Sequence, residues 1–218
     1  MKENCRTSLP MVERYMHECM GDAAHDREHI YRVLNYALYI AEEEQDVDRE
    51  LLTVACLLHD IGRAEQFLDE SVDHATCGAK KARTWLQSQG YAEDFCEAVA
   101  HCIETHRFRS DKPPQSTVAK ILFDADKLDV CGAIGIARTI IYKAQVAEPL
   151  YSLDGCGGIH DGSGDEAASF LQEYKYKLEK MYDKFYTKRA TSLAAKRQAA
   201  ARDFYESLLS EVRECYRL

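Results

Sequence analysis

A histidine and an aspartate stand side by side at His59-Asp60, after the run LLTVACLL and just before Gly62. Leu51, Leu52, Val54, Ala55, Leu57 and Leu58 are too apolar over so short a run for a surface helix, so the stretch belongs inside the protein. An imidazole and a carboxylate are costly to bury together unless something occupies them, and a divalent cation suits both. Similar donors occur elsewhere. His29 and Arg32 fall one helical turn apart in HDREHIYRV, and LFDADKLD sets Asp124, Asp126 and Asp129 among Ile121, Leu122, Phe123 and Leu128. The candidate set is His29, His59, Asp60 and Asp126, with Asp124 and Asp129 competing for the last place. Two imidazoles and two carboxylates suit Mn2+, Fe2+, Ni2+ or Zn2+ with positions left for water.

These donors lie far apart in the chain, so helices must bring them together. Apolar residues recur at spacings of three and four over 6–20, then from an N-cap at Asp26 through Ile40-Ala41, and again in the buried run. An irregular connector is expected over 63–72, followed by helices at 73–88, 91–105, 116–130 and 132–146. The segment 148–164 holds five glycines and a proline and reads as a loop, and two long charged helices are expected at 165–188 and 190–216. No β-alternation warrants a strand, so the fold class is all-α. Nine cysteines are scattered without a CxxC pair, which reads as reduced thiols in a cytoplasmic protein. No apolar run is long enough for a membrane span. A net charge of −9 argues against a nucleic-acid polymer as partner. A small phosphorylated substrate would need a local positive site.

The pattern His…His-Asp…Asp in an all-helical chain resembles the HD-domain superfamily of metal-dependent phosphohydrolases. The strings HDREHIYRV, LLHDIG and DADKLDVCGAIGIART, with SFLQEYKYKLEKMYDKFYTKRA and FYESLLSEV beyond them, resemble its YedJ/YpgQ-like branch from about residue 20 to the C-terminus. The resemblance implies an HD-domain helical bundle with two long C-terminal helices. It also implies one domain over 1–218, with a metal-binding core at about 20–147 and an extension at 165–218 packed on it. It assigns His29, His59, Asp60 and Asp126 as ligands of one divalent ion, Mn2+ foremost, with Mg2+ joining the alternatives. The implied substrate is a small phosphate ester or anhydride, a nucleotide above all, with pyrophosphate as one leaving group. Some relatives bind two metals, and here His74 with His101 or His106 would supply the second site. Two rival readings follow: a di-iron oxygenase, and a module that binds nucleotide or metal without turnover.

Other roles rest on position. Asp60 is the central catalytic candidate, with Glu65 and Asp69 a turn or two beyond it as candidates for orienting water. Arg32, Lys127, His25 and His106 are candidates for holding substrate, and Arg107, Arg109 and Lys112 add a basic cluster beside His106. Asp129 is a candidate outer acceptor or a partner for Arg32. His-Asp also occurs at 25–26 and 160–161, but the latter lies in the glycine-rich loop with no helix to fix it. A monomer and a homodimer are both compatible with the long C-terminal helices.

Overall fold

The centre of the first half is α3 (Arg49–Leu58), which buries Leu52, Val54, Ala55, Cys56, Leu57 and Leu58. Asp48 caps it by accepting the Leu51 N–H at 2.9 Å, supplying a partner that the first turn of a helix lacks. The computed structural model describes residues 9–20, 27–107, 112–164 and 166–216. These fall into two compact units, Met1–Asp126 and Lys127–Leu218. Every regular element among the described residues is helical, apart from one isolated bridge between Leu153 and Ile159. The all-α expectation holds.

In the first unit, α1 (Leu9–Met20), α2 (Arg27–Ile40) and α6 (Glu93–Glu104) pack on α3, and α5 (His74–Ser88) pairs with α6. Tyr15 stacks on Trp85 with centroids 4.5 Å apart, joining α1 to α5. The expected irregular connector instead contains α4 (Arg63–Leu68), too short for hydrophobic periodicity to reveal. Lys81 of α5 ties it down, donating to the Ile61 carbonyl at 2.8 Å and to Glu65 at 2.6 Å. Gly62 starts α4 with its backbone pressed on α5: a Cβ there would stand 2.3 Å from the His74 carbonyl oxygen and 2.7 Å from the Gly78 nitrogen. The unit closes with most of α7 (Thr117–Leu128).

In the second unit, α8 (Gly132–Gln145) packs on the long α10 (Lys188–Cys215). Gly132 enters α8 at φ +69°, where a side chain would be strained, and donates its N–H to the Tyr182 hydroxyl at 3.0 Å. Asp129, fully buried, meets Arg138 at 2.7 Å. The glycine-rich loop is tied by Asp154, whose Oδ1 accepts N–H groups of Cys156 and Gly158, both at 2.8 Å.

The long helix expected at 165–188 is a correction. It is one turn, α9 (Phe170–Glu173), followed by a π-helical turn, Tyr174–Leu178. Phe170, Tyr174, Leu178 and Tyr182 recur every four residues and are all buried. On an α-helix that spacing drifts around the axis by about 40° per step, and a π turn, with more residues per turn, turns the row back the other way. Burial of the aromatic row, with Tyr174 stacked on Tyr205 at 4.3 Å, therefore outweighs regular α-geometry.

Gly62→Ala should destabilise the protein by about 3 kcal/mol or more, because the added methyl meets backbone on two sides. A urea midpoint that does not move would show that the turn is not pressed against α5.

Candidate metal centre

Three of the sequence-predicted histidines lie at or beside helix ends, and this orients their rings. His59 is the C-cap of α3, where the last carbonyls have no helical partner. Its Nδ1 lies 2.7 Å from the Cys56 carbonyl oxygen. His106, just past α6, repeats the arrangement with the Ile103 carbonyl at 2.6 Å. His74, the first residue of α5, sets its Nδ1 2.8 Å from Gln66 Oε1. A carbonyl oxygen only accepts, so each Nδ1 carries a proton, and in a neutral ring the Nε2 then keeps a lone pair.

The Nε2 atoms converge on carboxylates. His29, in the first turn of α2, brings its Nε2 to 3.3 Å from His59 Nε2 and 3.3 Å from Asp126 Oδ1. Asp60 Oδ2 lies 3.6 Å from the His29 nitrogen and 3.8 Å from that of His59. Its other oxygen, Oδ1, faces His74 Nε2 and His106 Nε2, each at 3.6 Å, and accepts the Arg63 Nε–H at 2.9 Å. Ligand atoms about 2.1 Å from one ion stand roughly 3.0–3.4 Å apart, so these spacings are close to those of a coordination shell. The donors form two groups, His29 with His59 and Asp126, and Asp60 with His74 and His106.

All six residues are at most 7% exposed. Burial pushes His59 down to about 4 and His74 down to about 2, so both rings are neutral at pH 7. Burial pushes Asp60 up, but the Arg63 guanidinium, the largest opposing influence, holds it well below the ordinary carboxylate range. His74 Nε2 is buried without a hydrogen-bond partner. An orphaned lone pair among neutral imidazoles and ionised carboxylate is what a cation-binding cradle requires.

The remaining sequence candidates fall elsewhere. His101, half-buried on α6, belongs to neither group, so the second histidine pair is His74 with His106. Glu65 pairs with Lys81, and Asp69 is exposed and accepts from the Ser71 N–H and hydroxyl within its own turn. Neither joins the donor groups. Arg32 is half-buried on α2, Lys127 is buried in the last turn of α7, and His25 lies outside the described residues. Arg107 pairs with Asp73 and Lys112 with Glu104, while Arg109 is outside the described residues. That basic cluster is therefore largely matched by acids. Arg63 and Gln66 were missed, because with 63–72 read as irregular nothing aimed them at Asp60 and His74.

Residues 27–131 match the family model of the HD domain. The uncharacterized protein YpgQ of Bacillus subtilis (strain 168) is 28% identical over 195 residues, 87% of this chain and 85% of that protein. A crystal structure of a predicted HD superfamily hydrolase from an uncultured Thermotogales bacterium is 29% identical, with a TM-score of 0.61, covering 93% of this chain and 92% of that one. The crystal structure of Bacillus subtilis YpgQ in complex with ADP has a TM-score of 0.70 at 23% identity, covering 93% and 97%.

Because the folded-state pKa values of His59 and His74 lie below the ordinary 6.5, the unfolded chain takes up protons first as pH falls. The stability these rings contribute is complete above pH 6.5 and is lost on descent, through about 4 for His59 and on toward about 2 for His74. In the presence of a chelator, the melting temperature should drop steadily below pH 6.5, and more shallowly in His74→Asn. A melting temperature level from pH 7 to pH 4 in the parent protein would contradict this.

Proposed function

The chain belongs to the HD superfamily, and from that premise we propose that it is a metal-dependent phosphohydrolase acting on a small phosphate ester or anhydride, a nucleotide in particular. The observation that carries the reading is the convergence of two histidine Nε2 atoms with Asp60 and Asp126 at 3.3 to 3.8 Å inside an apolar core. His29, His59, Asp60 and Asp126 would hold the ion, with Mn2+ the first choice for such mixed nitrogen and oxygen donors. When bound, a divalent ion polarises water and holds a phosphoryl oxygen in line for attack. The chain's own part is to fix the donors and exclude competing protons. The Cys56 carbonyl sets the His59 ring, and Arg63 keeps Asp60 ionised. Arg32 and Lys127 are proposed to neutralise the substrate phosphate.

The choice of a nucleotide is supported by the ADP complex of Bacillus subtilis YpgQ, which shares this fold. A small ligand also agrees with the net charge of −9, since only a local field must be reversed. The scattered thiols, eight of them free among the described residues, suit the cytoplasm. No helix among the described residues is long and apolar enough to cross a membrane.

A second group of donors, Asp60 with His74 and His106, favours a second reading in which two ions share Asp60. Two irons there would direct the chemistry to O2 instead of phosphate. Metal content decides: two irons per chain with O2 consumption marks an oxygenase, and Mn2+ with phosphate release marks a hydrolase.

Protein stripped of metal and refilled with Mn2+ should release phosphate or pyrophosphate from some member of a panel of nucleoside di- and triphosphates and phosphate monoesters. Asp60→Ala should lose the bound metal and at least about 100-fold of the activity. Retention of both by that variant would sink the assignment. Stabilisation by nucleotide without any turnover would point to a binding module.

A further inference from the structure

Arg63 puts a fixed positive charge against the second donor group. Its Nε donates to Asp60 Oδ1 at 2.9 Å, the oxygen that His74 Nε2 and His106 Nε2 both face at 3.6 Å. Its Nη1 reaches Gln66 Oε1 at 3.4 Å, and the same oxygen accepts the His74 Nδ1 proton at 2.8 Å. One guanidinium is thus tied to the carboxylate directly and to an imidazole through Gln66. The His74 Nε2 has no hydrogen-bond partner, so the group keeps an unused donor atom even with Arg63 in place.

We infer that Arg63 is an internal counter-cation that sets how many metal ions the centre holds, competing with a second divalent ion for Asp60 Oδ1. The inference rests on His29, His59, Asp60 and Asp126 being the first metal site. A guanidinium and a dication sharing one oxygen repel each other, and arginine cannot relieve the repulsion by losing its proton. It has to move. The Arg63 side chain is 36% exposed while that of Asp60 is 7% exposed, so the movable partner is the arginine, and its path leads toward solvent. The second group therefore fills only as Arg63 swings out.

Once displaced, the guanidinium sits at the solvent side of the centre, where it can pair with a phosphate. Phosphate binding and second-ion binding then favour the same position of Arg63. By linkage each must strengthen the other.

The test compares metal-stripped wild type with Arg63→Met, which removes charge and hydrogen bond. Arg63→Gln is the second variant, since it keeps a donor without the charge. Mn2+ is titrated into each by calorimetry, stoichiometry is checked by elemental analysis, and paramagnetic resonance reports coupling between two Mn2+ ions. Both variants should bind the second ion at least about tenfold more tightly than wild type, about 1.4 kcal/mol, with the first ion little changed. Adding His74→Ala to Arg63→Met should abolish the second ion and the coupling. Inorganic phosphate should tighten the second ion in wild type and not in Arg63→Met. An unchanged or weaker second ion in both variants would overturn the proposal, since Arg63 would then only orient the carboxylate. One tight ion in all three proteins would overturn it while leaving the first site standing. No bound ion in any of them would overturn the first-site reading as well.

Discussion

The centre depends on a single buried carboxylate with its two oxygens turned to different sets of imidazoles. Asp60 Oδ2 faces His29 and His59, and Oδ1 faces His74 and His106. An ionised aspartate at this depth is tolerated only where positive charge or well-aimed donors offset its lost hydration. Arg63 puts a full positive charge directly on it, and three of the four facing histidines have their Nδ1 protons committed to oxygens away from it. The imidazoles consequently present lone pairs to an anion unless a cation stands between them. That conflict makes a metal ion the natural resolution.

Geometry is held by backbone more than by side chains. The turn from His59 to Gly62 is trapped between the C-terminus of α3 and the surface of α5, because Gly62 brings main chain against main chain. Lys81 then holds the carbonyl of Ile61, one residue past Asp60, and Glu65 on the next turn. A shift of Asp60 would require the α4–α5 contact to part, so the carboxylate is positioned by backbone packing and the Lys81 bonds and not by ligand side chains. Glu65, expected among the catalytic groups, acts here as half of that clamp.

Three of the candidate donors were legible in the sequence because they break a local rule: a His-Asp pair ends an apolar helix, and aspartates interrupt another apolar run. Where a helix is long, periodicity located it well, as for α5, α7 and α8. Two features escaped for physical reasons. α4 spans fewer than two turns, so no apolar stripe can form, and with it went the roles of Arg63 and Gln66. The break after Leu178 escaped because a four-residue aromatic repeat reads as a helix whether the turn is α or π. The choice of His106 over His101 turns on which one follows the end of α6, where a free Ile103 carbonyl can fix the ring.

Helix direction also bears on which ion the centre prefers. His59 closes α3, His106 follows α6 and Asp126 lies in the last turn of α7, so three helices bring their C-terminal ends toward the donors. Each such end carries a partial negative charge worth roughly 0.3–1 kcal/mol to a nearby cation, small beside the roughly 10–16 kcal/mol of tight ligation. The ends therefore choose the sign of the guest, and the lone pairs supply the strength. His29 and His74 instead lie in the first turns of α2 and α5, where backbone N–H groups carry the opposite partial charge. A centre with three cation-favouring and two anion-favouring helix ends among its donors suits an ion and an anion bound side by side. It would suit a lone structural metal less well, since two of its five helix ends would then oppose the guest.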